Sequence, residues 1–540
     1  MTNFPPGSAP AAPAFPGPTP AKQNSKLPLI ALIIGGILLV VALVVAFIPF
    51  PHSADGGPTS AFKAQQNLDK ALFGYAQSSG AKYSGSITYS FIDSTNSPEQ
   101  TIEFKNLVVA SNNNAEGTIT MGGQEAQYRQ LGNNVFLNTT KQFWTNLMKP
   151  VPEALDLDSV QSKWASADSA GLLWLGFLAP RRFAGRLAVG DQNQGLGQEL
   201  DSPNKGLPDA RFWPTSDPKV TQEGNNITVG TLTTTFAPDS HAVTHIKGNG
   251  IAQGTLKYKI DTSVSPVTDN DLNKMFANAR SFAPELAAVP APGLRPQTPL
   301  LKRVEGGSCA VPTCEFLYDV QGKLTSTRAI TGYLNYGIHA TFTANNRSVG
   351  GTCDKVVRVA VGTTARTQCD ATNLGNLPGG TLIRPNISAK YLPFVTSTPA
   401  DISRIIDNNE KSVKKKLTFE RSGNKRPGSA SKYNSQITDM PSSWIVKQGG
   451  YAFDGFGPSG SYLVTMSTGY DQHLKGGVFD PSWSGTQKLR DQAAQQVKAA
   501  EGTEIAWAFA EENSAAAARV LLLAAGITPQ QITVLDIKSS

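Results

Sequence analysis

Residues 29–48 (LIALIIGGILLVVALVVAFI) contain no charged or strongly polar side chain. At about 1.5 Å of rise per residue, ~20 helical residues match the ~30 Å hydrocarbon core of a bilayer. Every other segment must therefore be assigned to one side of a membrane or the other. Lys22 and Lys26 closely precede the run, whereas no Lys or Arg follows it until Lys63. The positive-inside rule then puts the N-terminus in the cytoplasm and the chain from about Pro51 onward outside. The run exceeds the ~7–15 apolar residues of a cleaved leader, and residues 48–54 offer no small-x-small cleavage site. A retained, single-pass cell-membrane anchor over 27–50 is the expectation.

Before it, residues 1–26 are rich in Pro, Ala and Gly, with Phe4 and Phe15 as their few large apolar anchors. Such a tail cannot bury enough surface to fold, and a disordered cytoplasmic segment is expected. The whole chain of 540 residues is long enough for several domains, and 40% hydrophobic with 16% charged is ordinary globular composition. A net charge of +7, spread along the chain, does not by itself point to a nucleic-acid partner. Cys309, Cys314, Cys353 and Cys369 all fall in one short region. An even, clustered set placed outside the cell reads as two disulfides, paired in sequence order, with the other two connectivities left open. A zinc site would lack a close C-x-x-C pair and has only His339 nearby.

Residues 60–285 read as an α+β domain with a curved sheet. Phe62, Leu68, Leu72 and Tyr75 have helical spacing; Ile87, Tyr89 and Phe91, then Ile102 and Phe104, then Ile119 and Met121 alternate as strands do. A second helical segment holds Leu172, Leu173, Trp174, Leu175 and Phe177, and further strands follow around 227–236, 242–246 and 256–260. Thr268 with Asp271 is a capping arrangement opening a helix over 269–282. His241 and His245 form the only histidine pair, on one face if the segment is a strand.

Tyr83-Ser84-Gly85-Ser86-Ile87, the hairpin 128–137 and Phe143-Trp144 resemble the half-barrel domains of actinobacterial envelope lipoproteins. The resemblance implies a hydrophobic or lipid ligand held between the curved sheet and its helices, although a spanning helix replaces the lipidated cysteine. Phe143, Trp144, Trp174 and Phe177 read as core rather than pocket lining.

Residues 286–300 are proline-rich and read as a semi-rigid linker. The cysteine region, 301–395, reads as a small β domain whose thin core the disulfides compensate. Lys411, Lys414, Lys415, Lys416, Arg421, Lys425 and Arg426 crowd into 396–430, read as a solvated basic linker, with attraction to anionic polymer, lipid head groups or nucleic acid as its other reading.

From 431 to 540 strands alternate with helices, which indicates an α/β layer. The segment resembles the restriction-endonuclease-fold toxin domains at the C-termini of bacterial polymorphic toxins. Tyr433 and Gln436 of an opening helix, Phe453-Asp454-Gly455, Gly469-Tyr470 and Trp507, Phe509 and Glu511 stand at matching positions. The resemblance implies a Mg²⁺-dependent nuclease scaffold, with a Glu-x-Lys triplet on the strand before Gly469-Tyr470. Here that triplet reads Val464-Thr465-Met466, Ser435 stands where an acid is often found, and Asp454 alone survives as a catalytic remnant.

Such chemistry needs two carboxylates converging on a divalent ion and a nearby Lys, because Mg²⁺ keeps its waters unless several fixed oxygens replace them. The expectation is a retained fold with lost or impaired catalysis, unless Asp471, Glu511 or Asp480 supplies replacement ligands. The leading reading is a membrane-anchored envelope protein displaying a degenerate toxin-type domain, with an immunity or envelope protein as partner. The alternatives are an active metal-dependent nuclease toxin, for which nucleic acid would be substrate, and a lipid-binding or structural envelope protein.

Overall fold

The computed structural model describes residues 59–539 apart from 92–98, 133, 168–172, 191–218, 254–255, 305–308, 311, 326–329, 375–376, 379, 424–425, 427 and 458–459. Lys63–Ser540 pack as one unit. The tail 1–26 and the apolar run 29–48 lie outside the described residues, among which no helix is long and apolar enough to cross a membrane.

The N-terminal half is built on an 11-stranded antiparallel sheet. Its first strand, Gly80–Phe91, lies inside the sheet between Gln100–Ala110 and Leu256–Pro266. From Gly80–Phe91 the chain runs outward strand by strand to Trp164–Ser166 at one edge. It re-enters at the far edge with Val220–Glu223 and returns to Leu256–Pro266. Gly85 marks a bulge where a Cβ would stand 2.2 Å from the Asp261 carbonyl oxygen, so the strands cross closely only because the side chain is missing.

One face of this sheet carries helix α1 (Ser60–Gln77), which buries Leu68, Leu72 and Tyr75, and the segment 173–189. The spacing of Leu172 to Phe177 predicts a helix over part of that segment. The segment forms a short 3₁₀ turn, Leu175–Leu178, and then a helix that begins at Pro180. Proline is favoured at that first position because its missing N–H has no helical partner anyway. Lys141–Leu147 (α2) and Pro180–Val189 (α3) are short, whereas Asp269–Phe282 (α4) opens with the expected capping box. Thr268 Oγ1 accepts from Asp271 N–H at 3.2 Å, and Asp271 Oδ2 accepts from Thr268 N–H at 2.8 Å.

Two segments read as linkers are built into the structure. In 286–300, Leu286 and Val289 join a core cluster with Phe276, Phe282 and Ile406, and Ala288–Pro290 is a short edge strand paired with Ile383–Thr396. A sheet edge tolerates Pro290, which has no N–H to give. Within 396–430 runs the helix Pro399–Lys414 (α5), capped by Thr398, with Ile402, Ile406 and Val413 buried. Its apolar stripe is narrow and its lysines face solvent, so charge density masked the helical period. Thr418–Arg421 then adds a strand beside Trp444–Gln448, so the C-terminal module begins before residue 431.

The cysteine region is two packed four-stranded sheets. One contains Gly332–Ala344, Arg347–Ala360 and Ile383–Thr396; the other contains Thr313–Gln321 and Thr364–Ala371. Between them lie Phe316, Tyr318 and Val320 against Leu334, Tyr336 and Phe342. Cys309–Cys314 spans neighbouring strands and Cys353–Cys369 ties one sheet to the other, the sequence-order pairing. All four cysteines are thereby consumed, and His339 pairs with Asp354 instead.

The C-terminal module holds a four-stranded sheet in the order Gly455–Phe456, Tyr462–Met466, Ile505–Phe509, Ile532–Asp536, the last three parallel. The helix Gly428–Thr438 (α6) packs on one face through Tyr433 and Ile437. On the other face lie Ser484–Ala499 (α7) and Glu512–Ala524 (α8).

Candidate functional site

Asp454 follows the strand Tyr451–Phe453 and faces the middle of Tyr462–Met466. Its Oδ2 accepts from Thr465 N–H at 2.7 Å and from the Thr465 hydroxyl at 2.8 Å, while Oδ1 is paired with the Arg426 guanidinium. Thr465 Oγ1 also accepts from Arg426 Nη1 at 3.1 Å and from the buried Asn434 Nδ2 at 3.0 Å. The carboxylate, the hydroxyl, the amide Nδ2 and the guanidinium form one connected network, with Asn434 Oδ1 buried and outside it.

Strand alternation decides what the neighbouring positions can contribute. Thr465 points toward α6 and Asp454. Val464 and Met466 are buried on the opposite face in the apolar layer with Trp507 and Phe509, where Met466 Sδ accepts from the Tyr470 hydroxyl at 3.4 Å. An acid at 464 or a lysine at 466 would enter that layer rather than reach Asp454. The residue beside the Asp454 carboxylate is Thr465, the one between the two positions read from the triplet.

Glu511 has a different task. Its carboxylate accepts three consecutive backbone N–H groups, from Gly469 at 3.0 Å, Tyr470 at 2.7 Å and Asp471 at 3.0 Å. Gly469 adopts φ +111°, a conformation that favours glycine and turns these amides toward one point. Asp471 in turn accepts from the Ser514 hydroxyl at 2.5 Å, Asn513 Nδ2 at 3.1 Å and Ser514 N–H at 2.9 Å, and these bonds, the hydroxyl's above all, hold its carboxyl below the usual range. Asp480 caps its own turn through Ser482 N–H at 2.8 Å.

The remaining motif residues fasten the module together. The Tyr433 hydroxyl donates to Ile537 O at 3.0 Å and Gln436 Nε2 to Lys538 O at 3.2 Å, so α6 anchors the chain just past the last strand. Gly455 lets the chain pass α6, since a Cβ there would meet Thr438 Cγ2 at 2.9 Å. Trp507 Nε1 donates to Gln496 Oε1 at 2.6 Å, joining sheet to α7.

Mg²⁺, implied by the resemblance, does not fit these residues. Asp454 is committed to a cation and a hydroxyl, Glu511 to backbone amides, Asp471 to the first turn of α8, and Asp480 to its own turn. Among the described residues no group of three or more His, Cys, Asp or Glu side chains converges as a metal site. The histidine pair also separates: His241, with φ +57°, precedes the strand and stacks on Phe236, whereas His245 Nε2 lies 2.9 Å from Asp261.

The sheet face that carries Tyr83, Tyr128 and Gln130 is covered by the chain's own segment 173–189. The Tyr128 hydroxyl donates to Leu173 O at 2.8 Å, Tyr83 to Leu178 O at 2.5 Å, and Gln130 Oε1 accepts from Gly176 N–H at 2.8 Å. Phe143, Trp144, Trp174 and Phe177 are all at most 3% exposed, as core residues are.

The same segment docks the C-terminal module. Arg182 pairs with Asp439, as does Arg186 at 3.2 Å, and Arg181 donates to Ser412 O at 3.3 Å while its guanidinium lies 4.9 Å from the Phe456 ring. Sequence reading singled out none of these arginines, nor Asn434 and Arg426 as partners of Asp454. Only the position of Thr465 between two apolar strand residues carried a local signal.

No family model matches the chain, and no curated protein matches it. Among solved structures it is similar to a chain of the Pseudomonas aeruginosa MucA/MucB complex. That similarity has 10% identity and a TM-score of 0.16, and covers 55% of this chain and 94% of the other. A calcium-binding mutant of Bacteroides uniformis β-glucuronidase 2 is similar over 56% of this chain and 26% of its own, at 7% identity and a TM-score of 0.12. At these scores neither comparison speaks to function.

Proposed function

We propose that this chain is a single-pass cell-envelope protein whose extracytoplasmic C-terminal module is a restriction-endonuclease-like scaffold of the polymorphic-toxin type that acts by binding a partner protein, not by cutting nucleic acid. The observation that carries this reading is the state of Asp454. Both carboxylate oxygens are engaged by Arg426 and Thr465, and a guanidinium stands where an ion would have to sit. A divalent cation would have to displace that arginine and then find further oxygen ligands.

The layer order supports the scaffold. An opening helix, an antiparallel approach to the sheet, and parallel strands joined through α7 and α8 follow the sequence motifs in turn. Support for the envelope location comes from the apolar run 29–48 with its flanking lysines, and from a pair of disulfides, which persist in oxidising compartments.

The test is plasmid nicking by the detergent-purified full chain with Mg²⁺ or Mn²⁺, beside an Asp454→Ala control. No nicking above background by either protein is expected. Metal-dependent nicking that the substitution abolishes would establish the nuclease reading in its place.

A further inference from the structure

A cleft of about 800 Å³ opens between the edge of the large sheet and the outer face of the disulfide-bonded domain. Its lining runs from Asn138 to Phe394 and includes no residue of the Asp454 network. Its volume falls within the range of small-ligand sites. The floor is the outward face of three neighbouring strands, where Gly337 pairs with Val356 on one side and Lys390 on the other. The wall opposite is formed around Trp164, whose ring lies 4.7 Å from the Arg129 guanidinium and 4.6 Å from the Phe282 ring centroid. Those two neighbours hold the indole still where it lines the cleft.

Gly337 is unexplained by the fold itself. It sits inside a 13-residue strand between two others, where glycine costs roughly 0.5–1 kcal/mol relative to alanine. It does not have the positive φ that would call for glycine, and a Cβ at that position would meet no described atom within 4 Å. Neither conformation nor packing demands the missing side chain. Glycine within a strand also marks places where something approaches the backbone closely. Beside it Val356 is 80% exposed, so the floor is a flat strip of bare backbone and aliphatic surface.

The polar groups define what could lie there. Lys163 and Lys390 are matched by Asp156 and Glu285, so the lining has no net charge. Asn138, Asn335, Ser159 and Ser162 add amides and hydroxyls around the apolar strip. A ligand complementary to this lining is uncharged, rich in hydroxyls and has flat C–H faces. We propose that the cleft binds a neutral oligosaccharide, with sugar rings against Trp164 and the Gly337–Val356 floor and hydroxyls bonded to Asn138, Asn335 and the serines.

The experiment is calorimetric titration of the detergent-solubilised full chain with maltohexaose, cellohexaose and hexa-N-acetylchitohexaose, with polygalacturonate as the anionic probe. At least one neutral hexamer should bind, and Gly337→Leu, which fills open space without a backbone demand, should weaken that binding at least tenfold. Asn335→Ala should weaken it severalfold and decides the matter should the leucine variant misfold. The proposal is overturned if no neutral hexamer binds, if folded variants bind like the parent, or if only polygalacturonate binds in a Gly337-sensitive way.

Discussion

Asp69 on α1 receives both prongs of Arg421, with Arg421 Nε 2.9 Å from Oδ2 and Nη2 2.8 Å from Oδ1. The pair is partly buried, at 16% and 29% side-chain exposure, and joins the first described helix to the strand that opens the C-terminal module. Fork-to-carboxylate geometry of this kind is the strong form of an ion pair. Arg421→Ala should therefore lower stability by about 1–3 kcal/mol. It should also speed proteolytic release of the C-terminal module. Arg421→Lys, which loses the fork, should recover only part of the loss in a denaturant titration.

Asp454→Ala removes the acceptor for Thr465 N–H and the counter-charge of Arg426. With those donors left half-buried, the expected cost is about 1–3 kcal/mol in chemical denaturation. A catalytic carboxylate would behave differently, since removing the charge at a metal site tends to stabilise the metal-free protein.

Val464→Glu tests the face assignment. The side chain is 5% exposed among Trp507, Phe509 and Met466, so an unpaired carboxylate there should cost about 3 kcal/mol or more. The double substitution Val464→Glu with Met466→Lys should yield no metal-dependent nicking.

Acid should weaken the start of α4. Lys82, with Thr268, holds the Asp271 carboxyl at about 2, below its ordinary value near 4. A pKa depressed in the folded state gives stability that is complete above the unfolded value and lost as pH falls through the folded one. Between about pH 4 and 2 the parent should lose a stability increment that Asp271→Asn lacks throughout, read as a difference in Tm against pH.

Cys353–Cys369 closes a 16-residue separation between the two sheets. Replacing both cysteines by serine should cost about 3 kcal/mol. The loss should appear in cooperative unfolding of the disulfide-bonded domain and be mimicked by reductant.

Local chemistry carried much of the architecture into the sequence. The period of Leu68, Leu72 and Tyr75, the Thr268–Asp271 cap and the strand alternations around Ile87 and Ile119 depend on neighbours a few residues away, and such signals are readable in one dimension. The cysteine pairing followed the simplest order. What the chain alone left undetermined depends on distant partners. Residues 286–300 and 396–430 read as linkers because proline and lysine dominate them, yet Leu286, Ile402 and Ile406 find their apolar contacts in α4. The chemistry around Asp454 was decided only in three dimensions. Strand alternation could say that Thr465 faces away from Val464 and Met466, but only the folded chain shows that its face is the one that meets Asp454 and that Arg426 is brought back onto the same carboxylate.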